Sequence, residues 1–310
     1  MTANPLSFDI LLHSSTGNTR LVTRYAAEAL RRLGHKATLL DIQRGGRVHH
    51  SCDALIVAAP TMYFRPTYAI EEAVANLPPI REPKPAFLLA TCGGMPGAHF
   101  PILAELLFHK GYVVFGAHFV VCESNYPMHR AWVEPIGPLL RLGRPVARWL
   151  NTKGNAARAL TASIFLGEAD PTVKDRDALE NFLDDAISIT RAPDFDNPPT
   201  PRSLNPRTIG TVAMGQTFQR RFASEMGPRF VESRCTGCGL CVRLCPATCL
   251  TQSEPKAVPT RQSGCTGCQS CFNHCPEGAV ATKGVPAGWG QYRGPSQRMK
   301  DVFAVKAEKR

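Results

Sequence analysis

This chain of 310 residues contains twelve cysteines, and eight of them fall into two copies of one pattern. The first copy is Cys235, Cys238, Cys241 and Cys245, followed at once by Pro246. The second is Cys265, Cys268, Cys271 and Cys275, followed by Pro276. Each reads C-x2-C-x2-C-x3-C-P. Thiolates are soft ligands that suit zinc and iron–sulfur groups. Structural zinc takes four ligands, commonly from two C-x2-C pairs. A third evenly spaced cysteine and a remote fourth before proline exceed what zinc needs and suit paired cubane [4Fe–4S] clusters, in which the fourth cysteine of each run ligates the other cluster. The expected ligand sets are Cys235, Cys238, Cys241 and Cys275 for one cluster, and Cys265, Cys268, Cys271 and Cys245 for the second. Gly237, Gly239 and Gly267 let backbone amides approach cluster sulfurs; such hydrogen bonds raise the potential, whereas apolar burial lowers it. Cys52, Cys92 and Cys122 fall at or near strand ends and read as small buried thiols. Cys249 follows the first run and has no counterpart in the second.

A different chemistry is written near the N-terminus. A short apolar run from Phe8 enters Ser14, Ser15, Thr16, Gly17, Asn18 and Thr19 and then a helical pattern. The N–H groups at such a strand-to-helix turn form an anion site, and hydroxyls at 14, 16 and 19 add donors without adding charge. The lysine of a nucleoside-triphosphate loop and the glycines of a dinucleotide fingerprint are missing. Alone, the hexapeptide could equally be a good helix N-cap.

The elements around these residues alternate. Asn18 to Leu33 places Leu21, Tyr25, Ala29 and Leu33 on one helical face, and Gly34 ends it. Further strands are expected at 37–42, 53–60, 86–92 and 112–122, with helices around 69–76, 99–110 and 175–190. Such alternation implies a parallel sheet covered on both faces. Residues 126–168 interrupt the pattern as a basic helical insertion. Residues 192–216 read as a proline-rich linker. A small cysteine-bearing domain follows at 217–284. The Gly/Pro-rich, basic tail 285–310 is expected to be exposed and partly disordered.

With these elements in place, residues 6–190 resemble the flavodoxin family, whose phosphate loop is T/S-x-T-G-x-T. The whole chain is similar to flavodoxin–ferredoxin fusions. The resemblance implies an α/β doubly wound parallel sheet of order 2-1-3-4-5 with the helical insertion, plus a small α+β two-cluster ferredoxin-like domain. It implies FMN held by Ser14–Thr19 and by two ring loops. The first is Pro60, Thr61, Met62, Tyr63 and Phe64; the second is Thr91, Cys92, Gly93, Gly94, Met95 and Gly97. Tyr63 or Phe64 would supply one aromatic face. Arg65 reads chiefly as a surface arginine, with stabilisation of an anionic reduced flavin as the alternative.

The formal charge of +11 is partly internal compensation, because two clusters and a flavin phosphate would together contribute roughly −6. The remainder points to redox partner proteins with an acidic docking surface. A nucleic-acid reader motif is absent. No apolar run reaches the ~18 residues of a membrane span. With no leader-like start, a cytoplasmic location is expected. Two functions stay open at this level. One is a low-potential electron carrier relaying between two [4Fe–4S] clusters and FMN for a separate redox enzyme. The alternative is a ferredoxin-dependent flavin reductase acting directly on a small substrate.

Overall fold

A computed structural model describes residues 4–48, 51–62, 64–93, 96–123, 171–199, 225 and 227–305. The basic insertion, most of the proline-rich linker, Tyr63, Gly94 and Met95 lie outside the described residues. Strand β1 (Ser7–Leu12) leads through a turn into helix α1 (Asn18–Arg32), then β2 (Lys36–Asp41) and β3 (Ala54–Met62). Next come β4 (Arg65–Pro66), α2 (Tyr68–Ala75), β5 (Lys84–Cys92), α3 (His99–Phe108) and β6 (Tyr112–Val121). Helix α4 (Val173–Arg191) closes this domain, started by a capping box between Thr172 and Asp175.

The strands lie in the order β2-β1-β3-β5-β6, all parallel, while two-residue β4 folds back antiparallel onto the end of β3. With that short return strand set aside, this is the doubly wound order 2-1-3-4-5. Strand β3 is apolar on both faces because helices cover both. Ile56 and Ala58 point into a core with α1 and α4, and Leu55 and Val57 into one with α2 and α3. Each fully buried Leu or Ile contributes about 1.5–3 kcal/mol by leaving water. This packing fixes the three strand-to-loop exits at the carboxyl edge of the sheet, where mononucleotides sit in this topology.

The C-terminal module holds two short antiparallel pairs. One joins β7 (Arg229–Phe230) to β10 (Val280–Ala281), the other β8 (Leu250–Thr251) to β9 (Thr260–Arg261). Short helices α5 (Leu240–Arg243) and α6 (Ser270–His274) occupy equivalent places in the two cysteine runs. The repeat extends to the backbone: Gly237 and Gly267 have φ of 64° and 63°, and Gly239 and Gln269 have φ of 68° and 60°. Each run therefore coils left-handed twice, a path glycine takes freely and Gln269 takes at a cost.

The expectation of an exposed tail is corrected. Helix α7 (Gln297–Val302) is capped by Ser296, which accepts from the Met299 N–H at 3.1 Å. Met299 and Phe303 are 1% and 0% exposed and belong to the core of the N-terminal domain. Phe303 meets the Tyr25 ring edge-on at 5.6 Å. The segment's glycines and prolines shape a strap, and its two apolar side chains anchor that strap on α1. Among the described residues, no helix is long and apolar enough to cross a membrane.

Candidate redox sites

The two cysteine runs fold around two hollows of about 350 Å³ each, their open mouths included. Cys235, Cys238, Cys241 and Cys275 line one, together with Phe230 and Val280. Cys245, Cys265, Cys268 and Cys271 line the other, with Pro228 and Leu250. Each hollow thus takes three cysteines from one run and the fourth from its twin. Among the described residues, no three His, Cys, Asp or Glu side chains close on a single-ion position. The four thiols of each set line one shared cavity, which leaves room for a bulky inorganic cluster. The Ala279 N–H donates to Cys275 Sγ at 3.2 Å, an amide–sulfur bond of the kind that tunes cluster potential. Burial pushes the thiols of Cys241 and Cys268 up, to about 11 and about 12. Desolvation of thiolates is offset when they are bound to iron, so this donor set fits the clusters that the spacing implies.

Sequence reasoning missed a fifth thiol in the second hollow. Cys249 is 3% exposed, and its Sγ lies 3.5 Å from Cys245 Sγ. Hydrogen bonding to Cys249 holds Cys245 and Cys265 below the ordinary thiol range, at about 6, while Cys249 itself is pushed up. Only its position four residues after Cys245 could have flagged it.

The Ser14–Thr19 turn is buried under the strap and the cysteine module. Ser14 Oγ accepts from the N–H groups of Gly17 and Arg20, both at 3.1 Å. Thr19 Oγ1 pairs with Thr91 Oγ1 at 2.8 Å, joining the first loop to the end of β5. Asn18 Nδ2 donates to Cys122 Sγ at 3.3 Å, and its Oδ1 accepts from the Tyr292 hydroxyl at 2.8 Å. Gly17 has φ of 105°, and a β-carbon there would lie 3.1 Å from Pro295 Cδ, so the turn needs glycine for conformation and for room. Arg20 is spent on Asp41 at 2.6 Å, which leaves the turn with neutral donors. Ser15 Oγ is buried without a hydrogen-bond partner. An orphan of this kind calls for an acceptor or donor from a bound group. A phosphate oxygen would meet that need, so these residues fit the flavin mononucleotide that the loop pattern implies.

The other two loops are tied to each other. The Ala98 N–H donates to Phe64 O at 2.7 Å, and Thr61 Oγ1 pairs with His99 Nδ1 at 3.0 Å. Gly97 leaves no space for a side chain: a β-carbon would stand 2.5 Å from Phe64 O. Met62, Thr91 and Cys92 are buried, as are Pro60 and Thr16, while Gly93 is partly open. Phe64 is 51% exposed at φ 63°, an uncommon conformation for a bulky residue, and it presents an aromatic face at the loop rim. Two histidines beneath these loops were not singled out from the sequence. His13 pairs through Nδ1 with Thr67 Oγ1 at 2.7 Å, and the Nε2 atoms of His13 and His99 are buried without partners. Burial lowers them to about 4 and about 3, so both are neutral at pH 7.

Arg65 departs from expectation. It is 5% exposed, paired to Glu71 through two bonds of 2.9 and 2.6 Å, and stacked over Tyr68 at 4.6 Å. It is neither a surface arginine nor a free charge for a flavin; it fastens the start of α2.

Fold and site together define an architecture: a flavodoxin-like doubly wound α/β domain, read from its strand order, joined to a small module built on two cysteine runs. Residues 234–280 match the family described as the 4Fe-4S dicluster domain. No curated protein matches the chain. Similar solved structures include a flavodoxin from the domain Archaea, 17% identical, covering 37% of this chain and 84% of that one with a TM-score of 0.30. Flavodoxin 1 from Bacillus cereus is 18% identical over 38% of this chain and 87% of that one, TM-score 0.30. Rubredoxin oxygen:oxidoreductase from Desulfovibrio gigas is 20% identical over 52% of this chain and 38% of that one, TM-score 0.32. The fold assignment here rests on the strand order.

Proposed function

We propose that this protein is a low-potential electron relay that holds FMN in the N-terminal domain and two [4Fe–4S] clusters in the C-terminal module, and serves a separate redox enzyme. The observation that carries this reading is the pair of hollows, each walled by three cysteines of one run and one of the other. Ser14–Thr19 would hold the phosphate, with Ser15 Oγ as a donor. Pro60–Phe64 and Thr91–Met95 with Gly97 would flank the ring, which Phe64 would cover on one face. Clusters supply one-electron transfer and a flavin supplies one- or two-electron transfer, so the pairing converts single electrons into pairs. The protein's part is to fix the distances and to keep solvent from the buried turn. Partner proteins with acidic faces suit the chain's positive balance.

Anaerobic mixing with reduced methyl viologen tests the reading. Both the cluster band and the flavin band should bleach, while small-molecule acceptors should show no catalytic turnover without a second protein. Rapid turnover of a small acceptor by the chain alone would favour a reductase instead.

A further inference from the structure

The two cysteine runs are repeats, so the places where they differ show what each is for. Run one has Leu240 and Arg243 where run two has Ser270 and Asn273. Leu240 lines its own hollow, and Arg243 is exposed, its guanidinium turned back to Cys238 O at 3.1 Å. Ser270 and Asn273 are 1% and 2% exposed. Ser270, placed between Cys268 and Cys271, donates through Oγ to the carbonyl of Ser15 at 3.1 Å. Asn273 Oδ1 accepts from the Tyr292 N–H at 2.8 Å, and the Tyr292 hydroxyl reaches Asn18 at 2.8 Å. Next to Cys245, the run-two hollow's borrowed ligand, the Leu244 carbonyl accepts from Gln43 of the N-terminal domain at 3.0 Å. The chain neighbours of the second hollow's cysteines are thus bonded to the N-terminal domain at Ser15 and Gln43, and Asn273 reaches Asn18 through Tyr292. The first hollow carries Cys238, the one exposed thiol among the eight.

We infer that the two hollows have fixed and different jobs. The Cys245–Cys265–Cys268–Cys271 hollow is the flavin-side site, and the Cys235–Cys238–Cys241–Cys275 hollow is the outward port that exchanges electrons with an external one-electron carrier. This rests on the cofactor reading above. A reduced carrier gives up one electron at the port and is itself oxidised; that electron moves on to the inner site, and from there across the Cys271–Ser270–Ser15 contact. Two such passes, with protons drawn from solvent, deliver the pair that a reduced flavin ring holds. The reverse direction uses the same order.

The order is tested on the intact holoprotein without an activity assay. Anaerobic protein is treated with ferricyanide and a chelator, quenched at intervals with iodoacetamide, and mapped by mass spectrometry. Cys235, Cys238, Cys241 and Cys275 should be alkylated several-fold faster than Cys245, Cys265, Cys268 and Cys271. In flavin-stripped protein the inner set alone should accelerate several-fold. A common rate, a reversed order, or an inner set indifferent to flavin overturns the assignment. Iron measured on the starting sample separates the two levels of the argument. About eight irons with a common alkylation rate sinks the order alone, and a sample without iron sinks the cofactor reading and this one with it.

Discussion

Ser270 Oγ donates a 3.1 Å hydrogen bond to the carbonyl oxygen of Ser15, joining residues 255 positions apart in the sequence. One lies between two cysteines of the second run, and the other is the second residue of the Ser14–Thr19 turn. Ser270→Ala removes that bond and leaves the cysteines alone. Loss of one such bond costs about 0.5–1.5 kcal/mol. In rapid mixing with reduced viologen, the cluster band of Ser270→Ala should bleach at the wild-type rate and its flavin band several-fold slower. Leu240→Ala, at the equivalent place in run one, should leave the ratio of the two rates unchanged. Equal behaviour of the two variants would remove the contact from the electron path.

The borrowed fourth cysteine gives a second prediction. Cys275 closes the run-one hollow and Cys245 closes the run-two hollow. Cys275→Ser should therefore degrade the cluster bound by Cys235, Cys238 and Cys241 and spare that of its own run. Iron analysis should fall from about eight toward about four. Alkylation should then mark Cys235, Cys238 and Cys241 as the freed thiols; freed Cys265, Cys268 and Cys271 would show local ligation instead.

The strap should behave as core. Phe303 is fully buried beside Tyr25 although it lies in a Gly/Pro-rich, basic stretch. Phe303→Ala should cost about 3–5 kcal/mol, read as a lower urea midpoint of the N-terminal domain. A change within about 0.5 kcal/mol is what a surface residue gives, and would return the segment to the exposed tail that composition suggests.

The buried histidines set an acid limit. His13 and His99 are lowered by burial from 6.5 to about 4 and about 3. Unfolded, both bind a proton near pH 6.5; folded, they stay neutral well below that. The unfolded state therefore holds more protons below pH 6.5, and stability falls with pH by up to about 1.4 kcal/mol per unit for each histidine until its folded value is reached. His118, also lowered by burial, adds to the same direction. Urea midpoints between pH 7.5 and 5.5 should decline, and His99→Gln should flatten the decline. A midpoint independent of pH in this range contradicts neutral burial.

Much of this was legible because it is periodic. Alternating apolar runs separated by helical spacing give a parallel sheet covered on both faces, the resemblance to flavodoxins adds the strand order, and two identical cysteine spacings give the pairing of four thiols per hollow. What stayed hidden depends on single residues meeting at long range. Met299 and Phe303 sit in a Gly/Pro-rich stretch whose composition reads as disorder, and only tertiary packing shows that they anchor it. Arg65 looked like a surface charge because its partner, Glu71, lies on the next helix turn beyond β4. Cys249 breaks the repeat, so its place four residues after Cys245 was the only spacing it offered. Ser270 becomes visible only when the repeats are aligned and a serine is found where its twin has leucine.

The central claim is that one chain holds two cubane clusters and one flavin mononucleotide. Anaerobic purification followed by iron, sulfide and flavin quantification tests it most directly. The account predicts about eight irons, about eight sulfides and one FMN per chain. Bound zinc in place of iron, or a chain that retains iron with no flavin, would contradict it.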